Sequence, residues 1–310
     1  MAANEIVLDK IEPTEEEFKK RKSYQRRALK ERIAKYVFLL AALVSILAVG
    51  LICVFLIVNG IPAMKEIGLF NFLLGEKWKP SDVPASYGIF PFILGSIYIT
   101  AGAVIIGVPI GILTAVFMAR FCPKRIYRVM KSAIDLLAGI PSIVYGFFGI
   151  MIIVPFVSNV FGGNGNSILT ASILLGIMIL PTIVSVSEAA IRAVPESYYE
   201  GALALGASHE RSVFFAVLPA AKSGILAGVI LGIGRAIGET MAVIMVAGNQ
   251  TRMPKGLLNG IRTMTANIVI EMGYAADLHR EALIATAVVL FIFILIINLC
   301  FSLIKRRNKI

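Results

Sequence analysis

The sequence predicts an all-α integral membrane protein with six transmembrane helices and both termini in the cytoplasm. Three observations predict it. Hydrophobic residues fill 58% of the 310 positions and mean hydropathy is +0.84, more apolar surface than a soluble domain buries. Five runs, 36–59, 91–119, 136–157, 167–187 and 283–304, approach or exceed the roughly 20 apolar residues that span a bilayer. A sixth, 223–247, is interrupted only by Arg235 and Glu239. Finally, positive charge alternates along the chain. Residues 1–35 carry ten Lys/Arg, 120–132 five, 188–222 three and the tail after 304 four. The intervening stretches are poorer for their length: three in 60–90, none in 158–166 and four in 248–282. The positive-inside rule then fixes the orientation.

Residues 1–35 form a basic cytoplasmic segment in which Glu16 with Lys20 and Glu17 with Arg21 stand at helical spacing. A partner-binding role competes with a solvated helix held by anionic lipid, which the composition favours. The run 36–59 is longer than the roughly 7–15 apolar residues of a secretory signal and lacks a small-residue cleavage site, so it reads as a retained anchor helix. Asp135 lies near the cytoplasmic end of the third helix and reads as an interfacial or packing carboxylate. Pro141 and Pro181 kink or break the apolar helices that hold them. "GGNGNS" at 162–167 reads as a short outer turn.

The net charge of +11 reflects the loop asymmetry. The basic residues are juxtamembrane and lack interleaved aromatics, which excludes nucleic-acid binding. Cys53, Cys122 and Cys300 form no CxxC or His/Cys cluster, and His209 and His279 fall on opposite sides of the membrane, so no metal site is expected.

The loop at 188–222 is built like two short helices. Pro195 and Glu196 suit the first turn of one, and Gly206 is placed to end it in a left-handed cap. Ser208 can cap the next, with Glu210 in its first turn, before Pro219 leads back into the membrane. An amphipathic connector on the lipid surface is one reading. The other is a compact helix–glycine–helix knuckle shaped to enter a groove on another protein.

That loop resembles the EAA coupling motif of bacterial ABC-importer permeases: E-A-A, three residues, G, nine residues, I-x-L-P. Glu200, Gly201, Ala202, Gly206, Leu218 and Pro219 fall in its register, with Gly201 in place of the first Ala and Ala216 in place of the Ile. The stretches "AGIPSIVYGFFG" (138–149), "ALALGASHERSVFFAVLPAA" (202–221), "GRAIGETMAVIMVAGN" (234–249) and "RTMTANIVIEMGYA" (262–275) resemble the phosphate-specific permeases, PstC-type rather than PstA-type. The resemblance implies the type I ABC-importer permease architecture. Residues 85–304 then form a permease core of five transmembrane helices with the coupling loop at 188–222, and 305–310 a cytoplasmic tail. It also implies that residues from Glu200 to His209, including Ala207 and Ser208, touch an ATP-binding subunit dimer. A second, related PstA-type permease subunit and an extracytoplasmic phosphate-binding protein follow from it too, the latter docking on 60–90 and 248–282. The site is the bacterial cytoplasmic membrane.

Arg235 and Glu239, one helical turn apart, are expected to neutralise each other on one face of their helix. An isolated charge at mid-bilayer costs on the order of 2.5–3.5 kcal/mol on insertion scales. Gly224, Gly228 and Gly232 form one small-residue ladder and Gly234 with Gly238 another, placing this helix in the bundle interior. Two roles stay open: a structural ion pair, or a translocation pathway in which Arg235 lowers the barrier to an anion and Glu239 prevents trapping.

No Walker GxxxxGK[ST], HExxH or single-compartment Ser/His/Asp set occurs, so the chain is not an enzyme, binds no cofactor and relies on ATP used by a partner. The function expected is the transmembrane subunit of an ATP-driven phosphate importer. The alternatives are a permease for sulfate, molybdate or another oxyanion, and an ion-coupled secondary transporter. The last would show inverted repeats with broken helices, and no internal repeat is evident.

Overall fold

The computed structural model describes residues 15–307, with side chains described for most of 30–300. The proposed pairs of Glu16 with Lys20 and Glu17 with Arg21 lie outside the described side chains, and positions 308–310 of the tail lie outside the described residues. The chain divides into two units, 1–55 and 56–310. Helix α1, Glu15–Ile67, is much longer than the apolar run 36–59, because no glycine or proline interrupts the charged stretch before it. Six helical segments are long and apolar enough to span a membrane: Lys30–Ile67, Phe90–Phe121, Ser142–Phe161, Ile168–Arg192, His209–Gly238 and Asp277–Cys300.

The sequence treats 60–90 as a loop, yet it holds α2 (Leu69–Leu74) and a short hairpin of β1 (Trp78–Lys79) with β2 (Ser86–Tyr87). Next come α3 (Phe90–Val116), closed by a π-turn at Phe117–Phe121, and α4 (Lys124–Gly139). The third apolar run is not one helix. Pro141 forces Ile140 to an extended ψ of 127°, so the amphipathic α4, with Asp135, stands apart from α5 (Ser142–Phe148), a second π-turn and α6 (Val154–Phe161). Pro181, by contrast, lies inside an unbroken α7 (Ile168–Arg192).

Helix α7 organises the core. Two-thirds of its apolar span is buried, 67% against 22–33% for the other spans of the second unit. Leu174, Leu175, Met178, Ile179 and Ile183 meet α3 on one side, and on the other α10 (Leu218–Gly238) and α11 (Met241–Val246). The approach to α3 needs glycine: a Cβ at Gly107 would stand 2.8 Å from the Gly176 carbonyl oxygen. The expected ladder of Gly224, Gly228 and Gly232 does pack, and a Cβ on Gly232 would meet Ile183 Cγ1 at 2.8 Å. The second ladder differs, since Gly234 and Gly238 face open space within this chain. The stretch 248–282 holds α12 (Met264–Glu271), after which α13 (Asp277–Arg307) completes the fold.

Candidate functional site

The loop after α7 folds as two short helices about a glycine. Pro195 precedes α8 (Glu196–Ala204), with Glu196 in its first turn. Gly206 adopts φ +83°, and the Gly206 amide donates to Leu203 O (2.8 Å) while that of Ala207 donates to Ala202 O (3.1 Å). These are the paired bonds of a Schellman cap, which needs a residue without a Cβ at the turn. Ser208 Oγ then accepts from the Arg211 amide at 3.3 Å and starts α9 (His209–Ser212). A third π-turn, Val213–Val217, leads into α10, where Leu218 and Pro219 fill the first turn. Helix α8 has no buried residue. Glu200 and Gly201 are exposed, and Leu205 at 91% and Phe215 at 78% exposure project with them. The exposed apolar side chains of the loop thus lie on more than one element, Leu205 at the end of α8 and Phe215 in the turn after α9. A Cβ at Gly201 would meet nothing within 4 Å, so the departure from Ala there costs no packing.

Beneath the loop, Glu188 is 4% exposed and gathers three partners. Tyr127 Oη donates to Glu188 Oε1 at 2.8 Å, Arg192 Nε donates to the same oxygen at 2.6 Å, and Lys131 Nζ stands 3.5 Å from Oε2. The hydrogen bond to Glu188 raises the Tyr127 phenol above its ordinary pKa. Lys131 also pairs with Asp135 at 3.6 Å. The cluster clamps α4 to the end of α7, while Asp135 itself is exposed and meets only Lys131 of its own helix among the ion pairs of the described residues.

At the far end of α10 the structure corrects the sequence. The run 223–247 is broken, because α10 stops at Gly238 and Glu239 is extended, with φ −69° and ψ 133°. Glu239 Oε1 accepts from the amides of Thr240 (3.1 Å) and Ala242 (3.3 Å), so the carboxylate caps α11. It does not pair with Arg235. The two amides at a helix start, where the backbone dipole favours an anion, outcompete a guanidinium reached only across a continuous helical turn. Arg235 is half-buried, within electrostatic range of the Tyr145 phenol, and has no hydrogen bond or ion pair to any described residue. The structure therefore separates the two charges that the sequence joined.

A second polar centre lies within the stretch 262–275 and draws on the 60–90 and α13 segments. Arg262 Nη1 donates to Asn267 Oδ1 at 3.0 Å and pairs with Glu271 Oε1, while its Nε donates to Asn249 O at 3.1 Å. Glu271 Oε2 accepts from Trp78 Nε1 at 2.8 Å and lies 2.8 Å from His279 Nε2. The hairpin, α12 and α13 thus meet on one carboxylate that is 7% exposed. The signal for it was Arg262 and Glu271 standing nine residues apart across the start of a short helix, with a lone Trp far upstream. His279 and His209 do not meet, and among the described residues no group of three His, Cys, Asp or Glu is placed to hold a metal.

Comparison with known proteins fits these features. The family described as "Binding-protein-dependent transport system inner membrane component" matches residues 107–310. The chain is 35% identical over 293 residues to the probable ABC transporter permease protein YqgH of Bacillus subtilis, covering 93% of this chain and 95% of that one. It is 33% identical over 294 residues to the phosphate transport system permease protein PstC of Mesorhizobium japonicum, with 88% and 89% covered. Among solved structures, a bacterial alginate ABC transporter bound to its periplasmic protein matches with a TM-score of 0.62 at 16% identity, covering 90% of this chain and 98% of that one. An inward-facing MetNI methionine ABC transporter matches with a TM-score of 0.58 at 18% identity, covering 71% and 95%. At these identities the two structures speak for the fold alone. A mostly helical chain with six candidate spans and a projecting loop after the fourth belongs to the binding-protein-dependent ABC transport permeases, non-catalytic membrane subunits of their transporters.

Proposed function

We propose that this chain is the PstC-type permease subunit of an ATP-driven inorganic phosphate importer in a bacterial cytoplasmic membrane. Arg235 carries the reading. A guanidinium with no hydrogen bond or ion pair to any described residue, set where α10 breaks and beside two glycines with open space around them, supports a role in meeting an anion rather than in bracing a helix. An unpaired charge in a membrane span is costly and marks an ion path by default. Glu239, held by the α11 amides, leaves that charge unneutralised, and in this reading its carboxylate prevents tight trapping of the ion. Relatives named as phosphate transport permeases support the choice of anion.

In this mechanism both termini and the knuckle face the cytoplasm. A dimer of ATP-binding subunits receives Glu200, Gly201, Ala202, Gly206, Ala207, Ser208 and His209, with Leu218 and Pro219 anchoring the return to the membrane. This chain holds no nucleotide, and ATP binds to the partner. Closure of the ATPase dimer moves the knuckle and opens the path to the outside. There an extracytoplasmic phosphate-binding protein, seated on 60–90 and 248–282 of this chain and on a PstA-type partner, delivers its ion past Arg235.

The test is radiolabelled phosphate uptake by phosphate-limited cells with and without the gene, challenged separately with excess sulfate and molybdate. Gene-dependent uptake that ignores both competitors is the expected result. Uptake indifferent to the gene overturns the choice of phosphate and moves the substrate to another oxyanion.

A further inference from the structure

The knuckle is bonded covalently to α7 and α10, yet the structure ties it to a third helix as well. The end of α3 is wound as a π-turn, in which the Cys122 amide donates to Phe117 O at 2.8 Å. That register denies Met118 O its α-helical donor, and the residue that would serve it in the π register is Pro123, which has no N–H. Arg192 at the end of α7 supplies the missing donor, with Nη2 2.8 Å from Met118 O.

Two further side chains of the same turn, Arg120 and Phe121, reach both limbs of the knuckle. Arg120, 12% exposed, donates from Nη1 to Glu196 Oε2 at 2.9 Å, in the first turn of α8, and from Nη2 to Ile191 O at 3.4 Å. Its guanidinium lies 5.9 Å from the Tyr199 ring. Phe121 packs edge-on against His209 at the start of α9, with ring centroids 4.7 Å apart. His209 Nδ1 in turn lies 2.7 Å from Tyr199 Oη, closing the circuit between the limbs. Helix α8 holds no fully buried residue, so these contacts, with the partly buried Tyr199 packed beside Val213 and Val217, tie it to the body of the protein. Single-turn π segments recur at functional positions because they displace a side chain from helical register.

We propose that the π-turn Phe117–Phe121 is the seat in which both limbs of the knuckle are keyed, with Arg120 and Phe121 as positioning residues that carry the knuckle's displacement into α3. The proposal rests on residues 188–222 being the coupling loop. Helix α3 packs along α7, with a Cβ on Gly111 standing 2.8 Å from Ile183 Cγ2. A push at α8 therefore reaches α3 and α7 together rather than α7 alone. An ion pair with a carboxylate as exposed as Glu196, 56%, adds little to stability. Its consequence is mechanical.

The experiment uses the whole importer in vesicles and reads phosphate transported per ATP hydrolysed. Glu196→Gln, a change on the surface, and Arg120→Gln are each expected to lower that ratio about five-fold or more, the low end of ordinary coupling, with assembly and thermal unfolding unchanged for Glu196→Gln. Arg120→Lys should fall between Arg120→Gln and the unmodified chain, because a single ammonium keeps the charge but not the fork. A Glu196→Gln importer with an undiminished ratio, or one that loses coupling only with loss of the assembled complex, overturns the proposal. An unmodified importer that hydrolyses ATP without moving phosphate overturns the phosphate reading instead. The same variants are then scored on stimulation of ATP hydrolysis by the binding protein, where an undiminished response again overturns the seat.

Discussion

The knuckle around Gly206 and the break around Glu239 use the same parts, a glycine, a carboxylate and the start of a short helix, to opposite ends. In the knuckle the glycine does the turning, at φ +83°, and α8 projects with no buried residue. In the break the carboxylate does the work: it caps α11, whose Ala242, Val243 and Val246 are buried. One carboxylate, Glu196, stays available to a distant arginine, while the other is captured by neighbouring amides and leaves Arg235 unpaired. A charge near a helix start is thus free to pair elsewhere only if the amides of its own helix are not within its reach.

The largest effects should come from breaking each device at its pivot. Gly206→Arg is expected to abolish uptake while the chain still inserts, since an L residue at that φ costs about 1–2 kcal/mol and distorts the projection. Uptake by cells and membrane fractionation check both halves, and normal uptake would remove Gly206 from coupling. Arg235→Gln should stop uptake to the same degree with the complex intact on size-exclusion chromatography. Adding Glu239→Gln should not restore it, because the structure joins Glu239 to α11 and not to Arg235. Restoration would reinstate the ion pair.

Next in size is a third carboxylate, held by neither device. Glu271→Ala leaves the Arg262 guanidinium, 12% exposed, without its buried partner, and should destabilise the region by about 3–5 kcal/mol. Thermal unfolding of the purified complex reads it, and an unchanged midpoint would reduce that cluster to a surface contact. Glu239→Gln alone should cost about 1 kcal/mol through a weaker cap of α11, seen as faster amide exchange confined to 240–246. The smallest effect is expected from Gly201→Ala. The site is open, and replacing glycine within a helix gains about 1 kcal/mol at most, so uptake should not change. A large loss there would mean that the partner's surface touches Gly201 closely.

The knuckle was legible because each of its signals is local. Pro195, Gly206, Ser208 and Pro219 act through the backbone within a few residues, and the structure puts α8, the left-handed cap and the α9 start where those residues require. The break was not legible. Nothing in the apolar run 223–247 stops a helix by propensity except glycines that also suit close packing, and Gly232 does pack. Contacts distant in sequence help fix α11 as a separate piece: α5, whose Gly146 admits Met245 and Ala242, and Thr265, whose Oγ1 donates to Glu239 O at 3.1 Å. The Glu271 cluster was hidden for another reason, since Trp78 lies 193 residues from its acceptor.

By itself the sequence determined the number of candidate spans, the hinge glycine of the projecting loop and the absence of any catalytic constellation, because apolar length, backbone permissiveness and missing side chains are properties of short stretches. The tertiary structure decided which charges pair beyond a single helical turn, and which neighbours within one turn do not. Arg120 found Glu196 across 76 residues, Glu188 gathered Tyr127 and Lys131, and Arg235 lost the partner one turn away. Pairing depends on which donors the folded chain brings within about 3 Å of an oxygen, a distance that spacing along one helix predicts only while that helix remains unbroken.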